Sequence, residues 1–201
     1  MTLKRLKNME RKRISVLLKS RLISYGKVLA LFVALTSFTG CAQKALTQNM
    51  TVPTGSQQYA SQYQASVSVD KVVTKSGFQA IAIDKQGFQE AVVASLINAG
   101  LYTENGKYKL NVELVKIEQP LMGLDMTVTM TVEYTLKDSE NNNVVFQKSI
   151  TEPYTATFSD AAIGVTRFRM ATEGSVKANI ASLLKEFQSA PEIAVEGENY
   201  Y

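Results

Sequence analysis

Few residues in this 201-residue chain have the chemistry to do covalent or proton-transfer work. It contains no histidine and one cysteine, Cys41. Without histidine the commonest general base is missing. A lone cysteine without histidine builds no zinc site of the Cys/His kind. Ser182-Leu183-Leu184-Lys185 fits a Ser-x-x-Lys spacing, and Lys75-Ser76-Gly77 fits a Lys-Ser/Thr-Gly element. In penicillin-recognising enzymes these occur in the opposite order, with a Ser-Asp-Asn element between them. Leu183 and Leu184 also belong to an apolar helical stripe. Glu113 and Glu133 form a carboxylate pair only by choice, and each reads as part of a solvated strand face. Neither a glycine-rich dinucleotide loop nor a phosphate-loop lysine motif is present. The expectation is a protein that is not an enzyme and uses no cofactor or metal.

Cys41 is left, and its surroundings give it a role. Val28 to Phe38 is an apolar run of 11 residues behind a basic leader, and Thr39-Gly40 stand just before the thiol. A basic region, a short apolar region and small residues ahead of a cut site are the parts of an export signal. As a helix the run spans about 16 Å at ~1.5 Å per residue, against roughly 30 Å of bilayer core. It is too short to be a stable span. The alternative is a buried structural cysteine, a common fate for a free thiol. Phe38-Thr39-Gly40-Cys41 resembles the lipobox of bacterial lipoproteins, with Phe38 where leucine is usual. That resemblance implies a diacylglycerol thioether on Cys41, cleavage just before it, and acylation (palmitate-type chains) of the new amino terminus.

The formal charge of +4 misleads. Lys4, Arg5, Lys7, Arg11, Lys12, Arg13, Lys19, Arg21 and Lys27 against Glu10 give residues 1–40 a charge of +8, which leaves 41–201 at −4. A nucleic-acid binder needs its basic patch on the folded domain, so no nucleic-acid partner is expected. The absence of any cysteine pair rules out a disulfide framework within the chain.

Residues 1–40 are therefore read as a signal peptide. Residues 41–65, rich in Gln, Ser and Thr, are read as a flexible tether; ~24 such residues have an r.m.s. span near 27 Å. Residues 66–190 form one domain. Residues 191–201 are an acidic tail, expected to be mobile.

Within the domain, Ser66 to Thr74 reads as a strand, and Phe78 to Ile83 as a second strand or a continuation. Asp84 caps a helix from Lys85 to Ala99, closed by Gly100. Phe88, Ala91, Val92, Ser95, Leu96 and Ala99 share its stripe. Tyr108 to Leu114 alternates, and the phase slips at Leu114-Val115 as a bulge. Met126 to Leu136 places six apolar residues at period two, a long strand with one wet face. Asp138 to Asn143 is a turn, and Val144 to Phe158 returns as a strand whose Pro153 demands an edge or bulge. Ser159 and Asp160 cap a last helix with Phe168, Ala171, Val176, Ile180, Leu183, Leu184 and Phe187 inward. The expected fold is α+β: an antiparallel sheet of four to five strands with two amphipathic helices packed on one face.

Two surface features stand out. Leu121, Met122 and Leu124 put large apolar residues in or beside a turn, either folded back over the core or offered to a partner or lipid. Arg167, Arg169, Glu173 and Lys177 read as a binding face or as surface charges with local pairing.

The layout of lipobox, polar linker and strand–helix–meander–helix domain resembles the lipopolysaccharide-assembly lipoproteins, the auxiliary lipoproteins of envelope ABC-type transporters and the YajG-like lipoproteins. The resemblance implies a lipid-anchored, periplasm-facing accessory or structural subunit, or alternatively a lipid or small-ligand carrier with an apolar pocket between helices and sheet. Ala42 after the cysteine implies the outer membrane. The implied partners are the bilayer, through Cys41, and other envelope proteins. Replacing the thiol tests the anchor: Cys41→Ser is expected to stop processing and move the protein out of the membrane fraction. Unchanged processing and unchanged partition contradict it.

Overall fold

The computed structural model describes residues 44–55, 59, 61–74, 83–120 and 123–189. The chain divides into two units, Met1–Cys41 and Ala42–Tyr201, and every described residue belongs to the second. The signal peptide, Phe78, the acidic tail, Cys41, Leu121 and Met122 lie outside the described residues.

The elements in order are α1 (Thr47–Met50), a 3-10 turn (Ser61–Tyr63), β1 (Val67–Thr74), α2 (Lys85–Asn98), β2 (Tyr108–Glu118), β3 (Met126–Asp138), β4 (Val144–Ala156) and α3 (Gly164–Ser189). The four strands form one sheet in the order β1-β2-β3-β4. The meander β2-β3-β4 is antiparallel, with Leu110 opposite Leu136, Val112 opposite Tyr134 and Val132 opposite Ile150. The expected bulge falls between Leu114 and Lys116. Pro153 sits on β4, the edge strand, opposite Thr129, where a missing N–H leaves no internal ladder bond unmade.

Two expectations about the sheet are corrected. It is mixed, because β1 pairs with β2 in parallel from Val67↔Tyr108 to Thr74↔Leu114. The reason is the crossover. A helix between two adjacent strands returns the chain to the end from which it started, so the strands align in parallel. Among the described residues there are also three helices, and α1 packs on α2 and α3.

Sequence explains the local geometry. Asp84 accepts the Gly87 N–H through its side chain at the start of α2, satisfying one of the orphan donors there. Gly100 closes α2 at φ +70°, a left-handed conformation glycine adopts without strain. Gly106 has no room for a Cβ, which would lie 2.5 Å from the Ser66 carbonyl oxygen. That close approach lets residues 101–108 wrap Val67, with Thr103 N–H donating to the Val67 carbonyl and Tyr108 N–H to that of Ser66. The last helix starts at Gly164, so Ser159 and Asp160 do not cap it. Instead Asp160 accepts the Thr157 N–H and hydroxyl and tightens the turn before it.

The core lies between the inner sheet face and the helices. Leu110, Val112, Leu114, Met130, Val132, Tyr134 and Leu136 meet Phe88, Val92 and Leu96 of α2 and Val176, Ile180, Leu183, Leu184 and Phe187 of α3. One polar residue crosses it. Asn179 accepts the Tyr134 hydroxyl at 2.8 Å and donates to the carbonyls of Met130 and Ile150. Burial pushes the Tyr134 phenol well above its ordinary range, so it acts only as a neutral donor. The outer face is polar, with Thr127–Thr155 and Thr131–Thr151 hydroxyl pairs across β3 and β4.

The tether is the third correction. Met50 is 1% exposed, and Tyr59 and Tyr63 are also buried. The Tyr63 ring lies 5.0 Å from Phe187 and 5.7 Å from Tyr108, centroid to centroid. Low aliphatic content suggested a solvated coil, but three large side chains anchor the described part of the segment. Met50→Ala is expected to lower unfolding free energy by about 2–5 kcal/mol, as for other buried methionines, read from a shifted urea midpoint. A true tether would leave the midpoint unchanged.

Candidate functional site

The site suggested by sequence combines an attachment point at Cys41 with an apolar turn at Leu121, Met122 and Leu124. Leu124 is the described member, and it is 76% exposed. It projects outward and does not fold back over the core.

Of the two hydrolase-like elements, Lys75-Ser76-Gly77 lies outside the described residues. The Ser182 hydroxyl donates to Glu152 Oε1 at 2.6 Å, and Lys185 is exposed on the following turn. Glu113 and Glu133 stand opposite each other on the outer sheet face, where Glu133 accepts the Gln147 amide at 2.8 Å. They share a solvated ladder on β2 and β3. Among the described residues, no group of three or more His, Cys, Asp or Glu is placed to hold a metal.

The segment that follows Cys41 is fastened at four points. The Thr47 hydroxyl donates to Glu90 Oε2 at 3.1 Å. The Lys44 ammonium lies 3.4 Å from Asp84. Leu46 N–H and the Asn49 side-chain amide both donate to the Glu173 carboxylate at 2.8 Å, and Arg169 donates to it at 3.1 Å. Val52 N–H donates to the Ser95 hydroxyl, and the Asn98 amide donates to the Val52 carbonyl. Glu173 is buried. It is therefore a clamp, where the sequence suggested a surface charge, although the expected i,i+4 pairing with Arg169 is present. A buried carboxylate persists only when its oxygens are filled, and Glu173 fills them from the N-terminal segment. Of the two large aliphatic side chains here, Met50 is buried in the core while Leu46 stays exposed, so no helical stripe announced the docking.

The second fastening lies between β4 and α3. Phe158 N–H donates to Asp125 Oδ1 at 3.0 Å, joining this connection to the residue just before β3. Arg167 is buried. Its Nη1 donates to the Ala161 and Ala162 carbonyls at 2.6 and 2.9 Å, and its guanidinium lies 5.3 Å from the Phe158 ring centroid. Arg167 thus organises the loop from beneath. Above it, Phe158, Ile163 and Val165 are exposed.

No family model and no curated protein sequence matches the chain. Among solved structures, the fold is similar to that of protein XCC0632 from Xanthomonas campestris, of family DUF330, at 15% identity, with a TM-score of 0.52 over 68% of this chain and 91% of that one. Lipoprotein GNA1162 from Neisseria meningitidis gives 14% identity and a TM-score of 0.41, over 63% of this chain and 99% of that one. A minor lipoprotein from Acinetobacter baumannii gives 8% identity and 0.43, over 63% and 94%. The likeness to XCC0632 is one of fold.

Asp84 both caps α2 and receives Lys44. Its carboxyl is held below the ordinary carboxylate range, first by the Gly87 N–H and further by Lys44. A depressed folded-state value contributes stability above the ordinary range and loses it as pH falls through the depressed one. Asp84→Ala is expected to lose about 1 kcal/mol at neutral pH, the usual effect of removing an N-cap. The gap from the parent protein should close in acid, measured by urea unfolding across pH. A gap that stays constant with pH contradicts the capping role of the ionised carboxylate.

Proposed function

We propose that the protein is a lipid-anchored bacterial lipoprotein, an accessory or structural subunit of an envelope assembly or transport complex, facing the periplasm from the outer membrane and doing no catalysis. The observation that carries this reading is the succession of parts. A basic and apolar leader ends in Phe38-Thr39-Gly40-Cys41, and a folded domain begins almost at once behind it. The fold shared with XCC0632 supports a compact α+β module and supplies no activity. Lipid on Cys41 is the means of attachment proposed, on the resemblance of Phe38-Thr39-Gly40-Cys41 to a lipobox. Leu124, with Leu121 and Met122 beside it in sequence, is proposed as the contact with partner or lipid.

The carrier reading finds less support. Val128, Met130 and Leu183, the side chains that would line a pocket between helices and sheet, are fully buried. Asn179 fills the space beside them with three hydrogen bonds. A groove of about 610 Å³ bordered by Asn49, Tyr154, Glu173 and Lys177 opens between α1, α3 and the edge strand β4.

Photo-crosslinking residues at Gln147 and Thr151, both exposed on the outer sheet face, test the assignment in intact cells. A subunit is expected to give discrete adducts with envelope proteins and no lipid released in stoichiometric amount on denaturation. Stoichiometric extractable lipid without adducts contradicts the subunit reading and favours the carrier.

A further inference from the structure

The crossover fixes where the chain enters the domain. β1 and β2 run in the same direction, so α2 starts at the end of the sheet where both strands finish. Lys44 is held at that end, 3.4 Å from Asp84, the cap of α2. β3 starts from the same end and β4 returns to it, which brings the residues before β3 and the start of α3 there too.

Exposed apolar side chains gather at this end. Leu124, Phe158, Ile163 and Val165 are 76%, 55%, 68% and 57% exposed. They come from three places, just before β3, the β4–α3 connection, and the first turn of α3. They are also held in position. Phe158 is tied to Asp125 through its N–H, and Arg167 braces the connection from below. Apolar residues scattered singly are ordinary, whereas a rigidly presented group of them marks a contact surface.

The length of chain ahead of Lys44 says what covers the group. Two residues, Ala42 and Gln43, separate Cys41 from Lys44. Three Cα steps of ~3.8 Å reach about 11 Å at most. An acylated Cys41 therefore keeps this end of the domain against the lipid surface. Among the described residues the charged side chains here balance: Lys44, Lys85, Lys116 and Arg167 against Asp84, Glu118, Asp125 and Asp160. Attraction to anionic headgroups is not what the surface is built for.

We infer that this end of the domain docks on the bilayer that holds Cys41, with Leu124, Phe158, Ile163 and Val165 entering the boundary between headgroups and acyl chains. The inference rests on the acylation proposed above. Side chains of an interfacial element reach about 5–10 Å into that boundary. Docking of this kind depends on apolar area, so it is insensitive to salt and needs no anionic lipid.

The test uses the mature acylated protein, purified from cells and reconstituted into phosphatidylcholine vesicles. With Cys41 in thioether linkage, Ile163→Cys supplies a single free thiol for an environment-sensitive fluorophore, and Val165→Cys supplies a second probe. Val144→Cys, exposed at the opposite end of the sheet, is the control. The probes at 163 and 165 are expected to shift to the blue and lose most of their emission to lipids brominated along the acyl chain, at low and high salt alike. The probe at 144 should do neither. Flotation of the vesicles reports the anchor separately. Protein that floats while its 163 and 165 probes stay as polar as the one at 144 overturns the docking and leaves the anchor standing. Protein that does not float overturns both. Probes that become shielded only on addition of another envelope protein overturn the bilayer as occupant.

Discussion

The buried carboxylate of Glu173 decides how this chain is laid out. It sits on α3 with its oxygens occupied by Leu46 N–H, the Asn49 amide and Arg169. An unpaired carboxylate there would be strongly unfavourable. The segment after Cys41 therefore has a defined seat, and Met50 behind it fills an apolar recess. The sequence offered a long polar linker between anchor and domain. The fold seats its described residues, 44–55, 59 and 61–63, on the domain.

That seat works only because the sheet and helices are arranged as they are. The β1–α2–β2 crossover places the start of α2 and the far ends of β1 and β2 together. The meander brings the origin of β3 and the close of β4 to the same place. Asn179 locks α3 to β3 and β4 from inside the core, so the first turn of α3 is fixed relative to that end. The balance of polar and apolar groups follows. Hydroxyl ladders of threonine cover the outer face, while exposed apolar side chains collect where the chain enters.

Period-two and helical patterns carried most of the fold. The six apolar positions of Met126 to Leu136 could not be read otherwise, and the bulge at Leu114 followed from a single phase slip. The parallel pairing of β1 was hidden because alternation reports which face is wet and says nothing of a neighbour's direction. The docking of residues 44–55, 59 and 61–63 was hidden because Met50, Tyr59 and Tyr63 are dispersed in Gln, Ser and Thr, so average composition concealed three anchors. Arg167 and Glu173 look like any solvated helix charges in sequence. Their burial depends on backbone carbonyls and N–H groups brought in from elsewhere, which no local pattern encodes. Of the proposed site, the apolar turn was visible at Leu124, whereas its companions Phe158, Ile163 and Val165 join it only through the fold.

The proposed function rests on acylation of the Cys41 thiol, three residues before Lys44 in sequence. The most direct test is the mass of the mature N-terminal peptide from the membrane fraction. The account predicts a peptide that begins at Cys41 and carries a diacylglyceryl group on sulfur and an acyl chain on nitrogen. A peptide containing Cys41 as a free thiol, still joined to Gly40, would contradict it.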